Sequence, residues 1–385
     1  MRRHFIYHRC WLFTGICALL ALSFVLSACD QGGSPTKAVK SPVATASTQG
    51  IQLGQQPCPD AVKDAHHWNA IVGIDATKTV EEVICGYLMG VPSLQAMVKV
   101  GSKDVKFLLD VDVYTAITSA KPIRIFALSR LLGGDVSISN YNTLLTAQVD
   151  PNSSLNKGHP AAQQVIDLYR EFKWSDSAGT LEPVAFTGLF PDISRYQAEF
   201  EQQEVNNGQG YQQWRLSAAT TAQNFANFVL KWDPNTPTTV VSGGGAHDAR
   251  AIALIKNPSA GGATIRLSLS RLELNTNGGI WEVTDVTTDG LSIASPQDMQ
   301  QLSSPVQVTG VNTAFTAETS TILLLDHDRA AIGQASSSGK AAFAIPIPYS
   351  SSFQDGTQEG ILTLYSYTGN HVIVGAVMVK VLLHP

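Results

Sequence analysis

Residues 93–114 read SLQAMVKVGSKDVKFLLDVDVY, and this stretch decides the architecture of the first folded part. Leu94, Ala96, Val98 and Val100 alternate with other residues, and so do Phe107, Leu109, Val111 and Val113. Successive side chains of an extended chain point to opposite faces, so a period of two predicts strands with one buried face. Gly101-Ser102-Lys103-Asp104 lies between the two runs and supplies a turn, which makes the pair a β-hairpin. Asp110 and Asp112 then share the face opposite Leu109, Val111 and Val113. Ile123, Ile125 and Ala127 predict a further strand after Pro122.

Downstream the period changes. Val165, Leu168, Tyr169 and Phe172 fall on one helical stripe and predict a helix over 161–172. Ile193, Tyr196 and Phe200 predict another over 192–205, with Asn207-Gly208 as its stop. Ser217 is a good N-cap for a third, running to about Leu230. Ala222, Phe225, Phe228, Val229 and Trp232 form its apolar face, and Pro234 ends it. Strands return at 251–255 and at Ile265, Leu267 and Leu269, while Leu272 and Leu274 continue on the opposite parity. That slip predicts a bulge near Ser270 or burial of both faces. Asn275–Gly279 is turn-like, and Ile280–Val283 pairs back.

Gly290 to Pro296 reads as a boundary. Beyond it every predicted element is a short strand: Val306 and Val308, Thr319 to Leu325, Ala342 to Ile347, Leu362 and Leu364, then Val377 to Leu383. Many strands separated by Ser-, Gly- and Asp-rich turns predict a β-sandwich. The fold class expected is therefore an α+β region of antiparallel strands and helices over 51–290, divisible at 185/186, followed by an all-β module over 291–385. Within that module Ser304-Pro305-Val306-Gln307-Val308-Thr309-Gly310, Phe315-Thr316-Ala317-Glu318 and Gly360-Ile361-Leu362-Thr363-Leu364-Tyr365 resemble the immunoglobulin-like domain of bacterial spore germination proteins. The resemblance covers about residues 293–383. It implies an immunoglobulin-like sandwich with a binding or spacer role in envelope lipoproteins, and it brings no catalytic residues.

The chain begins with a basic head, Arg2, Arg3 and Arg9, followed by an apolar run from Trp11 to Leu26. The run falls short of the ~20 residues of a comfortable membrane span. It closes on Leu26-Ser27-Ala28-Cys29, which resembles the lipobox of bacterial lipoproteins. The resemblance implies a cleaved leader over 1–28, a lipid on Cys29, and attachment to the outer face of a membrane; an uncleaved anchor helix is the alternative. Residues 29–50, rich in Gly, Ser, Pro, Thr and Ala, read as a flexible stalk.

Of 26 basic and 31 acidic residues, cleavage would remove three basic ones and no acidic ones, leaving 23 − 31 = −8. Such a surface repels phosphate backbones, so nucleic acid is not an expected partner. Cys58 and Cys85 would be the only thiols left after cleavage and lipidation, and in an oxidising compartment they are expected to pair as a disulfide.

Candidate chemistry is sparse. Asp110 and Asp112 could do acid–base work or simply form a solvated strand face. Gly243-Gly244-Gly245-Ala246-His247-Asp248 could cradle an anion or form a turn; it lacks the Lys-Ser/Thr of a phosphate loop. Asp326-His327-Asp328-Arg329 carries hard ligands but lacks the pattern of a calcium loop. His66-His67-Trp68 reads as a surface or half-buried pair. No cofactor and no metal is expected, and no assembled catalytic set is legible. The expected function is a non-enzymatic envelope lipoprotein that binds an envelope protein or polymer. A cell-wall hydrolase using Asp110, Asp112, His247 or Asp248, and a solute-binding lipoprotein, are the alternatives.

Overall fold

A computed structural model describes residues 51–103, 107–209, 212–256, 264–273, 278–314, 319–338, 341–368 and 371–385. Cys29, the leader and the stalk lie outside the described residues, as do Asp104, Leu274, Asn275–Asn277 and Phe315–Glu318. The described chain is mostly β, arranged in several antiparallel sheets.

The first sheet is a meander of β1 (Gln55–Gln56), β2 (Lys78–Gly86), β3 (Gln95–Ser102), β4 (Leu108–Thr115) and β5 (Ile123–Leu132), in that order. The hairpin expected from 93–114 is β3–β4, with Ala96 opposite Tyr114 and Val100 opposite Asp110. Two helices, α1 (Asp60–Lys63) and α2 (Ala65–Val72), cover one face. Asp64 caps α2 through the His66 amide, and Gly73 ends it in the left-handed conformation that glycine adopts without a Cβ penalty. Trp68 is wholly buried there, tilted against Tyr114, with its Nε1 donating to the Val62 carbonyl at 2.7 Å. His66 and His67 are exposed.

The second sheet is β6 (Asp135–Ile138), β7 (Leu144–Gln148), β8 (Leu168–Ser175) and β9 (Thr180–Val184). Its Val136, Ile138, Leu144, Phe172 and Leu181 pack against Met97, Leu109, Val111, Val113 and Leu131 of the first sheet. With α2 on one side and this sheet on the other, β3 is buried on both faces. The helix expected over 161–172 is corrected: only a 3-10 turn forms at Ala161–Gln163, and β8 begins at Leu168. In Leu168-Tyr169-Arg170-Glu171-Phe172-Lys173-Trp174 the buried Leu168, Arg170 and Phe172 recur every second residue. Aromatic strand formers and neighbours on both sides overrode the helical spacing.

Two helices follow, α3 (Arg195–Asn206), capped by Ser194, and α4 (Ala218–Phe228), capped by Ser217. Ala218, Thr221, Ala222, Phe225 and Ala226 recur at the helical spacing and form the buried face of α4; Phe228 is exposed instead. The remaining strands are β10 (Thr238–Gly243), β11 (Arg250–Ile255), β12 (Ile265–Ser270), β13 (Glu282–Thr288), β14 (Leu291–Ser295), β15 (Gln300–Leu302), β16 (Val306–Asn312), β17 (Thr319–Leu325), β18 (Ala331–Ser338), β19 (Ala341–Ile347), β20 (Gln358–Tyr367) and β21 (Ile373–Leu383). A nine-stranded sheet runs β10-β11-β12-β13-β21-β20-β17-β18, with β15 pairing parallel to β21. Strands from both sides of Gly290 therefore share one sheet, joined where Val286 meets Met378. The bulge expected near Ser270 is not in β12, which pairs regularly with β11 through Ser270. The register shift opposite Ser268 and Leu269 leaves Thr284 of β13 as the extra residue, and the buried side chains continue in phase through Arg271 and Glu273.

The three-stranded sheet β14-β16-β19 packs on one face of the large sheet through Val306, Val308, Phe343 and Ile347 against Ile322, Leu324, Leu362 and Leu364. On the other face α4 meets Ala253, Leu267, Trp281, Ile361 and Tyr365. Covered on both sides, β20 is buried almost throughout. Gly310 has a packing reason: a Cβ there would strike the Ser292 carbonyl oxygen and the Phe343 ring.

Cys58 and Cys85 form a disulfide across 27 residues of sequence, joining the segment before α1 to β2. Closing a loop of that length in the unfolded chain contributes about 3.5 kcal/mol. Replacing both cysteines by alanine is expected to lower the unfolding free energy by about that amount in a urea titration. An unchanged midpoint would count against it.

Candidate functional site

A concavity lies beside α3, because of how that helix is patterned. Tyr196, Glu199, Phe200, Gln203 and Asn206 recur at i, i+3, i+4, i+7 and i+10, so they share one face. Sequence spacing assigned Tyr196 and Phe200 to a core stripe; instead Ala198 and Gln202 are the buried residues of α3, and Phe200 is 53% exposed. The face lines a groove of about 470 Å³ together with Asn140 and Glu273.

The floor of the groove is held by charge. Arg195 donates to Glu171 at 2.8 Å and to Glu273 at 3.2 Å, with its guanidinium over the Tyr141 ring. Glu171 also accepts the Thr143 hydroxyl at 2.7 Å. Glu199 accepts the Asn140 amide at 2.8 Å. Gln202 clamps the helix to the far wall, donating to the Gly278 carbonyl and accepting from the Ile280 amide, each at 2.9 Å. The Glu273 side chain is only 1% exposed. Burial pushes its carboxyl up to about 8 against the pull of Arg195, and burial raises Glu199 as well. Glu273 Oε2 is buried with no hydrogen-bond partner.

The residues singled out from sequence lie elsewhere. Asp110 and Asp112 sit side by side on β4, as their spacing requires. Lys78 engages Asp110 at 2.6 Å and Arg124 engages Asp112 at 3.3 Å. Burial raises the Asp112 carboxyl despite Arg124. His247 and Asp248 are exposed in the turn between β10 and β11, where Asp248 accepts the Gly245 amide at 2.8 Å. No hydrogen bond or ion pair between described residues joins the two pairs, and neither lines the groove.

Asp326–Arg329 forms the turn between β17 and β18, and the fold gathers more around it than its spacing implied. Asp328 accepts the amide and hydroxyl of Ser154 at 2.9 and 2.7 Å. His327 lies between Gln358, at 2.7 Å, and Asp167, at 3.6 Å. Arg329 donates to the Leu189 and Pro191 carbonyls at 3.1 and 2.7 Å. Burial and a hydrogen bond to Asp328 push Asp326 up to about 7. Asp328 falls to about 2: burial works to raise it, but the bonds from Asp326 and Ser154 outweigh that. The turn thereby docks the second sheet onto the large one.

Sequence reasoning missed Glu199 and Glu273. The available signal was a glutamate between Leu272 and Leu274, a charge placed in an apolar run where the alternation changes parity. Among the described residues no three ligating side chains converge to hold a metal, and no helix is long and apolar enough to cross a membrane. No family model matches the chain, and no curated protein matches it.

Proposed function

We propose that the protein is a lipid-anchored lipoprotein on the extracytoplasmic face of a cell membrane, with a non-catalytic binding role toward an envelope protein or polymer. The observation that carries this reading is Leu26-Ser27-Ala28-Cys29 at the close of an apolar run behind a basic head. The Cys58–Cys85 disulfide supports it, since such bonds persist in oxidising compartments. The C-terminal module is an immunoglobulin-like sandwich akin to that of spore germination proteins. Ser304–Gly310 leads into β16 and Gly360–Tyr365 lies within β20, facing one another across the apolar layer of Val306, Val308, Leu362 and Leu364. Its role is to present or brace the α+β part, which carries the groove.

The ion pairs on Asp110 and Asp112 favour binding over hydrolysis, because each carboxylate already has a cation. A net charge of −8 after cleavage and the two carboxylates in the groove disfavour nucleic acid.

Labelled palmitate fed to expressing cells tests the anchor. The wild-type chain should incorporate it and partition with membranes, and Cys29→Ser should do neither. Equal labelling of both proteins would end the reading.

A further inference from the structure

We infer that the groove beside α3 is a binding site for a small organic cation, a protonated primary amine seated on Glu273. This rests on the binding reading above and names the ligand class for that role.

Three observations converge on it. The groove has about 470 Å³, within the range of small-molecule sites, roughly 300–1,000 Å³. Its lining includes Glu199 and Glu273 and, among the described residues, no lysine or arginine. Arg195 beneath it is divided between Glu171 and Glu273, while Glu199 is held by the Asn140 amide, so one guanidinium serves two carboxylates and a third lies beside them. The third observation is Glu273, a residue of the groove lining whose side chain is 1% exposed and whose buried Oε2 has no hydrogen-bond partner. A buried polar atom without a partner is costly, and a ligand donor removes that cost.

The ligand chemistry follows by elimination. Anions are repelled by the carboxylates. A metal held mainly by protein side chains, such as zinc, would need three or more ligands, and none converge among the described residues. A quaternary ammonium has no N–H for Oε2. A primary ammonium has three donors, for Glu273 and Glu199 and the amide oxygen of Gln203, and its alkyl stem can lie on Phe200 and Tyr196.

Binding is coupled to proton release. Glu273 faces Arg195 and Glu199 from α3, Glu171 from β8, Asp192 and Tyr141. Burial holds its carboxyl at about 8, so it is mainly protonated at neutral pH. An alkyl ammonium keeps its proton to about pH 10. Affinity therefore rises between pH 6.5 and 8.5.

Calorimetric titration of the full-length protein in detergent tests this, with 1,4-diaminobutane as probe and 1,4-butanediol as its neutral counterpart. The diamine should bind and the diol should not, with tighter binding at pH 8.5. Glu273→Gln should weaken diamine binding roughly ten- to a hundredfold and flatten the pH dependence. Phe200→Ala, on the exposed rim, should weaken it a few-fold without lowering the unfolding temperature. No diamine binding, equal diol binding, or an unchanged Glu273→Gln protein each overturns the inference. Should Glu273→Gln fail to fold, Phe200→Ala binding like wild type at both pH values overturns it instead. A protein that takes up palmitate but no diamine leaves the anchor standing and refutes the amine site alone.

Discussion

Arg215→Met is expected to lower the unfolding free energy by about 3–5 kcal/mol, because it removes the guanidinium that hydrogen-bonds two buried carboxylates. Arg215 and Glu282 are fully buried, and Asp192 nearly so. The guanidinium donates to Asp192 at 2.5 Å and to Glu282. The Asp192 amide donates to Glu282 at 3.2 Å, and the Trp281 amide to the Arg215 carbonyl at 2.8 Å. Without the arginine, the two acids face each other in a low-dielectric interior. Burial first, and Asp192 second, already hold Glu282 well above the usual carboxylate range. A carboxyl raised in the folded state favours folding below its unfolded value, and that contribution is lost as pH rises through the folded value. The deficit of the variant should therefore be larger at pH 8 than at pH 5. Urea titrations at both pH values check this; a variant within about 1 kcal/mol of wild type at pH 8 would contradict it.

Lys380→Met should be comparably damaging, at about 3–5 kcal/mol, yet a second change should restore most of the loss. Lys380 and Glu359 pair at 2.7 Å with side chains 1% and 2% exposed. The ammonium also donates to the Ile193 carbonyl at 2.5 Å, and Glu359 accepts the Phe186 amide at 3.1 Å. This pair fastens the segment before α3 to β20 and β21. Burial pushes Glu359 up to about 7 and Lys380 down, against their mutual attraction. Desolvation thus consumes much of the ion pair's gain. Removing one partner strands the other, whereas an apolar pair of similar volume is often neutral or stabilising. Lys380→Met/Glu359→Leu should recover at least half of the single variant's loss in guanidinium titrations. Two additive losses would refute the coupling.

Local pattern was legible for the elements themselves: the alternation over 94–113 and the Ser217 cap correspond to β3–β4 and the start of α4. The single buried face expected of that hairpin is not found, since Ala96, Val98 and Val100 face α2 while Leu109, Val111 and Val113 face the second sheet. Pattern misled where a second layer changed which residues were covered. Leu168–Phe172 fits either period, and pairing with β7 and β9 chose the strand. The stripe of α3 was read as core because Tyr196 and Phe200 are apolar, yet the helix buries Gln202, whose amide bonds across 76 and 78 residues of sequence compensate for its desolvation. The groove was not legible because its charges come from β8, α3 and the segment after β12, which no local spacing connects. The same holds for Arg215, Asp192 and Glu282.

The position of the disulfide also governs how the molecule bears a load. A pull arriving at Ile51 first meets β1, whose two residues pair only with Cys85 and Gly86 and would unzip readily. At Cys58 the peeling stops on a covalent bond, and tension passes into β2, which is laced to β3 from Lys78 to Gly86. Cutting that bond would let only the residues ahead of β2, 58–77, run out, or roughly 70 Å of slack, before the β2–β3 pairing is strained. An oxidised molecule is a short, stiff tether, and a reduced one is long and compliant.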